Sequence, residues 1–155
     1  MTKLNSGLFS SVKQDWKTPS KIYEELDKEF PFDFDPCPPL KKITWEDHGL
    51  AIEWGQCNFV NPPYSDIKRW VCKAYREYLK GKTVVMLIPS RTDTIWWHDF
   101  VMRASEIRFI KGRLKFNDEK NSAPFPSAIV IFKVENPATH ATPAALWESC
   151  LRKEE

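Results

Sequence analysis

The residues of this chain best suited to chemistry are the run Asn61-Pro62-Pro63-Tyr64. Each proline fixes φ and has no backbone N–H to give to a sheet ladder. A strand that reaches them must stop, and the proline carbonyls and the Asn61 side chain are left as acceptors. Tyr64 adds a flat aromatic face. Convergent acceptors beside a stacking ring suit an exocyclic amine on a planar heterocycle, such as N6 of adenine. On their own, Asn-Pro and Pro-Pro are ordinary turn breakers. The context says more: Cys57-Asn58-Phe59-Val60 is a short strand-type run, and an amphipathic pattern follows the tetrapeptide. Asn61 therefore falls at the carboxyl end of a strand, where open α/β sheets bind ligands.

The elements that must position this run can be read on either side of it. Thr18-Pro19 predicts a helix start, with Thr18 as cap and Pro19 in the first helical position. Ile22, Tyr23, Leu26 and Phe30 then share one face. Phe32-Asp33-Phe34-Asp35 alternates and stops at Pro36, as a strand that delivers Asp35 to a loop. Residues 40–56 give no consistent period. After the tetrapeptide, Ile67, Trp70, Val71, Ala74, Tyr75 and Tyr78 recur at helical spacing until Gly81. Thr83 to Ile88 is a continuous apolar run, as for a strand buried on both faces. A further helix carries Trp96, Trp97, Phe100, Val101 and Ala104, and strands follow near 106–110 and 127–133. This order predicts an α/β fold: a mostly parallel sheet with helices on both faces and a C-terminal antiparallel strand pair. Trp70, Trp96 and Trp97 read as core rather than as a platform for bases.

The chain has 155 residues, 42% hydrophobic and 14% aromatic. That suffices for a single domain with a sizeable core spanning 1–155, with residues 1–14 as a loose polar arm and 136–145 as a surface connection. No stretch approaches the roughly 18 apolar residues of a membrane span, and the N-terminal region has no signal-peptide core. The four cysteines lack a CxxC pair or a framework spacing and read as reduced thiols of a cytoplasmic protein. The net charge of +2 is unevenly spread: −3 over residues 1–65, +6 over 66–120 and −1 over 121–155. The basic middle is the candidate surface for a polyanion. Arg91 follows the buried strand at the same sheet edge as Asn61. Lys111, Arg113 and Lys115 alternate, so they share one face, which is either solvated or a phosphate track.

Taken together, six separated blocks in a fixed order resemble the phage and prophage DNA N-6-adenine-methyltransferase (Dam) family. They are Asp15-Trp16-Lys17-Thr18-Pro19, Asp35-Pro36-Cys37-Pro38, Asn61-Pro62-Pro63-Tyr64-Ser65, the run from Ile88 to Thr94, the run from Arg108 to Phe116, and Ala123-Pro124-Phe125-Pro126-Ser127. The resemblance implies a Rossmann-like methyltransferase fold and S-adenosylmethionine as donor, in the cytoplasm of a bacterium or phage-infected host. The acceptor would be adenine N6 in double-stranded DNA, flipped into a pocket formed by Asn61, Pro62, Pro63 and Tyr64. Trp16, Lys17, Thr18 and Pro19 would face the methionine part of the donor, and Asp35, Pro36 and Cys37 would form the donor loop. Ser65, Arg91, Lys111, Arg113 and Lys115 are the expected nucleic-acid contacts. No metal is required.

The donor loop departs from the wider superfamily, since Asp35-Pro36-Cys37-Pro38-Pro39 contains no glycine for close backbone approach. The short separation from Asp35 to Asn61 also leaves the ribose-binding acid open between Asp47 and Glu53. The same acceptors would serve cytosine N4, an RNA base or a glutamine amide. A different class of reading is a catalytically inactive DNA-binding or host-interacting module that keeps the fold. Residues 134–155 are too few for a separate target-recognition domain, so short sequence specificity, or help from a second subunit in a homodimer or with an accessory chain, is expected.

Overall fold

The computed structural model describes residues 17–38, 48–116 and 122–134. Trp16, Asp47, the arm over 1–14 and the connection over 136–145 lie outside them. The described elements, in chain order, are α1 (Ser20–Glu29), β1 (Cys57–Val60), α2 (Ile67–Leu79), β2 (Thr83–Pro89), α3 (Ile95–Asp99), β3 (Glu106–Phe109) and β4 (Ser127–Phe132). Short 3-10 turns at Tyr64–Asp66 and Val101–Arg103 lead into α2 and out of α3.

The sheet order is β1-β2-β4-β3. β1 and β2 pair in parallel, with Val60 opposite Met86. β4 pairs antiparallel with β2, and β3 pairs antiparallel with β4. The expected antiparallel pairing of the last two strands is present, but the expectation of a mostly parallel sheet needs correction. Two of the three ladders are antiparallel, because β4 returns between β2 and β3 instead of adding at the edge. The strand expected over residues 32–35 is reduced to one isolated parallel bridge from Phe34 to Asn58.

Apolar alternation along the strands builds one cluster on each face. Val60, Val84, Met86, Ile88, Ala128, Val130 and Phe132 pack with Trp70, Val71, Ala74 and Tyr75 of α2 and with Trp96, Trp97 and Phe100. Phe59, Val85, Leu87, Ile129 and Ile131 pack on the other face with Leu26 and Phe30 of α1 and with Leu114, Phe116, Ala123 and Phe125. Helices thus cover both faces, and all three tryptophans read as core are buried. No helix among the described residues is long and apolar enough to cross a membrane.

Several local readings shift. α1 begins at Ser20 with Pro19 in the capping position, and no side chain caps it. α2 ends at Leu79, two residues before Gly81, whose φ of 90° explains the choice of glycine. The third helix is only five residues long. Residues 111–116 form no strand, although the Ala123 N–H donates to the Leu114 carbonyl at 2.7 Å. Cys37 and Cys57 are free thiols, but Cys72 is disulfide-bonded, which corrects the reading of four reduced cysteines.

Candidate active site

Asn61 follows β1 at its carboxyl end, as the prolines require. Pro62 is buried and Asn61 half-buried. The Asn61 carboxamide is held from both ends. Its Nδ2 donates to Thr18 Oγ1 at 3.0 Å, and its Oδ1 accepts from the Tyr64 hydroxyl at 3.0 Å. Thr18 therefore binds the tetrapeptide across 43 positions of sequence instead of capping α1. A carboxamide oxygen has a second lone pair beside the one that Tyr64 engages.

The two prolines are not equivalent. The Pro63 carbonyl accepts the Asp66 N–H at 3.2 Å and starts the turn into α2, so it is spent on the fold. No backbone donor among the described residues takes the Pro62 carbonyl. The expectation that both carbonyls stay open is thus corrected to one. The Tyr64 ring is fixed by T-shaped contacts with Phe125 at 5.3 Å and Phe116 at 6.5 Å. Burial pushes its phenol well above the ordinary range, so it stays a hydroxyl that can donate to Asn61. Phe125 and Phe116 come from the segments bracketing residues 117–121, and the aromatic wall they form with Tyr64 was not read from the sequence.

Asp35 reaches the same edge, because Phe34 bridges Asn58 in parallel and Asp35 is the next residue. Its Oδ1 accepts the Cys37 N–H at 2.8 Å. Burial pushes this carboxyl up to about 6, against the opposing effect of that hydrogen bond. No cation pairs with it among the described residues. Burial first, and the charge of Asp35 next, push the Cys37 thiol up to about 12, so it is no nucleophile. Tyr23, read only as a core position of α1, lies within electrostatic reach. Burial, then Asp27 and Asp35, push its phenol up.

A glycine from outside the Asp35-Pro36-Cys37 loop packs against it. Gly49 packs so closely on this loop that a Cβ there would collide with the Pro36 carbonyl oxygen and stand 2.7 Å from the Trp70 ring. The Trp54 indole N–H donates to the Gly49 carbonyl at 2.6 Å and fixes that approach.

The remaining expected positions are more dispersed. Lys17 is exposed next to Thr18, and Ser65 is exposed in the turn after Tyr64. Arg91 is exposed just beyond β2, and its carbonyl accepts both the N–H and the hydroxyl of Thr94. Lys111, Arg113 and Lys115 are all exposed, while the intervening Leu114 is buried. The charge of the middle third divides, however. Lys73, Lys80 and Lys82 pair with the fully buried Glu77 at 2.6, 3.2 and 2.7 Å. Glu53 joins this network through Lys82 at 3.0 Å. Because the network precedes β1 and β2, Glu53 is at the amino-terminal edge of the sheet and is not placed to bind a ribose at the other edge. Among the described residues, no group of three or more His, Cys, Asp or Glu could hold a metal ion.

Acceptors, a desolvated carboxylate and an aromatic wall on one carboxyl edge define a class of α/β protein whose polar and aromatic groups gather at one end of the sheet. Whole-chain comparison gives this class its name. Residues 5–143 match the model of the DNA N-6-adenine-methyltransferase (Dam) family, and the chain belongs to that family. A DNA N-6-adenine-methyltransferase of Haemophilus phage HP1 (strain HP1c1) is 32% identical over 153 residues, covering 88% of this chain and 87% of the relative. No solved structure gives a significant match.

Proposed function

We propose that the protein transfers a methyl group from S-adenosylmethionine to the N6 amine of adenine in double-stranded DNA. The hydrogen-bond chain from Thr18 through Asn61 to Tyr64 carries this reading. It joins the segment expected to face the donor to the acceptor tetrapeptide through one side chain. The activity named for the phage relative agrees. The common direction of β1, β2 and β3, with β4 alone reversed between two of them, supports a Rossmann-like methyltransferase sheet.

The donor fits the residues by charge. Asp35 is a desolvated carboxylate with no cationic partner among the described residues, and the amino-acid part of S-adenosylmethionine carries an ammonium group. Lys17, Thr18 and Pro19, together with Asp35, Pro36 and Cys37, would hold it. Bound there, the donor supplies an electrophilic methyl group.

The chain's own residues act on the acceptor. An N6 amine stacked inside a duplex cannot be reached in the needed geometry, so the base must be extruded. Tyr64 stacks on the extruded ring. The Asn61 Oδ1 and the Pro62 carbonyl accept the two N6 hydrogens and favour a pyramidal nitrogen over one delocalised into the ring. The nitrogen would form its bond to the methyl group as the donor leaves as a neutral sulfide. One N6 proton would pass to solvent, because the carbonyl acceptors are too weakly basic to keep it. Positioning and fixed dipoles supply the rate, and no side chain with a pKa near neutrality needs to act as base. Ser65, Arg91, Lys111, Arg113 and Lys115 contact phosphates and bases of the bound DNA.

Tritiated-methyl transfer to unmethylated DNA, followed by nucleoside mass spectrometry, tests the reading. The expected label is in N6-methyldeoxyadenosine, and label in methylcytosine or in protein would refute it. The glycine-free donor loop favours one second reading, an inactive DNA-binding module. Calorimetry decides between them, since an inactive module gives no heat with S-adenosylmethionine.

A further inference from the structure

Three buried side-chain atoms among the described residues have no hydrogen-bond partner: Asn58 Oδ1, Ser90 Oγ and Ser127 Oγ. Ser127 is 1% exposed, and an unsatisfied buried hydroxyl carries a desolvation penalty that alanine would not. The fold gives this hydroxyl nothing to do. The Ser127 carbonyl accepts the Ile110 N–H at 3.1 Å, and its Cα pairs with Pro89 in the β2–β4 ladder.

Alternation fixes where the hydroxyl points. Ala128, Val130 and Phe132 face the cluster of α2 and α3, whereas Ile129 and Ile131 face the cluster that includes Tyr64, Phe116 and Phe125. Ser127 has the parity of Ile129 and is thus on the Tyr64 side. Asn61 follows Val60, which packs on the opposite face, and so shares that side too. Ser127 is two residues past Phe125, whose ring touches the ring of Tyr64. It is also at the carboxyl edge of β2, level with Pro89, on the edge where Asn61 emerges from β1.

We infer that Ser127 Oγ reads the target base, donating its hydrogen bond to N1 or N7, the two adenine ring nitrogens that flank the reacting amine. The inference rests on the methyl-transfer reading above. It makes Ser127 a specificity-determining residue, with a hydroxyl left unpaired in the fold so that adenine can pair it.

The test couples the side chain to single atoms of the base. Duplexes carrying adenine, 1-deazaadenine or 7-deazaadenine at the target are methylated by the wild type and by Ser127→Ala. Ser127→Ala should melt at the same or a higher temperature, and its kcat/KM on adenine should fall roughly 3–10-fold, as for loss of one neutral hydrogen bond. The wild type should show a matching fall on one deaza analogue, and the variant no further fall on that analogue. Additive losses on both analogues, or an activity loss that tracks a lower melting temperature, would overturn the assignment. A wild type indifferent to both analogues would do so even if the variant failed to fold. A wild type that labels no adenine at all would instead refute the methyl-transfer reading beneath it.

Discussion

The two edges of the sheet treat their polar groups in opposite ways. At the amino-terminal edge Glu77 is fully buried, yet it is bonded to Lys73, Lys80 and Lys82, and Lys82 also donates to the Trp54 carbonyl at 2.6 Å. Its carboxyl is driven down to about 2 by those ammonium groups, which outweigh its burial. At the carboxyl edge Asp35 is driven up to about 6, Ser127 has no partner, and Asn61 is bonded to two hydroxyls that can each switch roles. One edge is electrically closed by the fold. The other is left open by the fold, and the proposed donor and base would close it, as expected where stability is given up for binding. Asn58 is a mixed case near the closed edge, with two hydrogen bonds from its Nδ2 and an unpaired Oδ1.

If this contrast is right, substitutions at the two edges should separate stability from activity. The largest stability effect is expected for Glu77→Ala. It leaves Lys82, 5% exposed, without its buried partner, at a cost on the order of 3–5 kcal/mol. Denaturant unfolding should show that loss, while turnover per folded molecule stays near the wild-type value. Asn61→Ala should do the reverse. Methyl transfer should fall by roughly 100–1,000-fold, as for removal of one hydrogen-bonding group aimed at the transition state, with the melting temperature and donor affinity little changed. Loss of donor binding in that variant would mean that Asn61 belongs to the donor site.

Much of the active edge was legible because it follows from local rules. The prolines end β1 where they stand, and the apolar periods of α1 and α2 give the faces that pack. What the sequence hid was long-range. Thr18 has the residue type and position of a cap, and nothing nearby in sequence shows that its hydroxyl meets Asn61. The burial of Glu77 has no local signal either, since of its three lysines one is on α2 and two follow that helix, Lys82 directly before β2. The insertion of β4 between β2 and β3 depends on ladder partners that no single segment encodes. Gly49 is the same kind of case, for the Asp35-Pro36-Cys37 loop contains no glycine and the close packing against Pro36 comes from Gly49, outside that loop.

That close approach gives the next effect in size. Gly49→Ala would push a Cβ into the Pro36 carbonyl and the Trp70 ring, and overpacking of this kind costs typically about 1–3 kcal/mol. Since the displaced backbone belongs to the loop proposed to hold the donor, donor affinity measured by calorimetry should fall with stability, unlike the separated effects of Glu77→Ala and Asn61→Ala.

The pH response should also differ in sign between the edges. Glu77 lies below its ordinary value of 4.5, so its contribution is present above pH 4.5 and is lost as pH falls through about 2. Asp35 lies above its ordinary value of 3.8, so its protonated form favours the fold below that pH, and this benefit is lost as pH rises through about 6. Asp35→Asn keeps an acceptor for the Cys37 N–H without the charge. Its melting temperature should match the wild type near pH 3.5 and exceed it by pH 7. A constant offset across that range would show that the carboxyl is not desolvated in the folded protein.

The smallest effect concerns the basic middle of the chain, which the comparison of edges divides in two. Lys82 is buried and Lys73 half-buried against Glu77, and Lys80 also pairs with it, so the proposed DNA surface falls to exposed groups such as Arg91, Lys111, Arg113 and Lys115. Arg113 stands just past Gly112, which takes a φ of 81°, and next to the buried Leu114. Arg113→Ala should leave the melting temperature unchanged and weaken DNA binding evenly across sequences. It should also reduce the slope of log affinity against log salt by about 0.9, the value for one phosphate that is no longer neutralised. An unchanged slope would remove Arg113 from the interface.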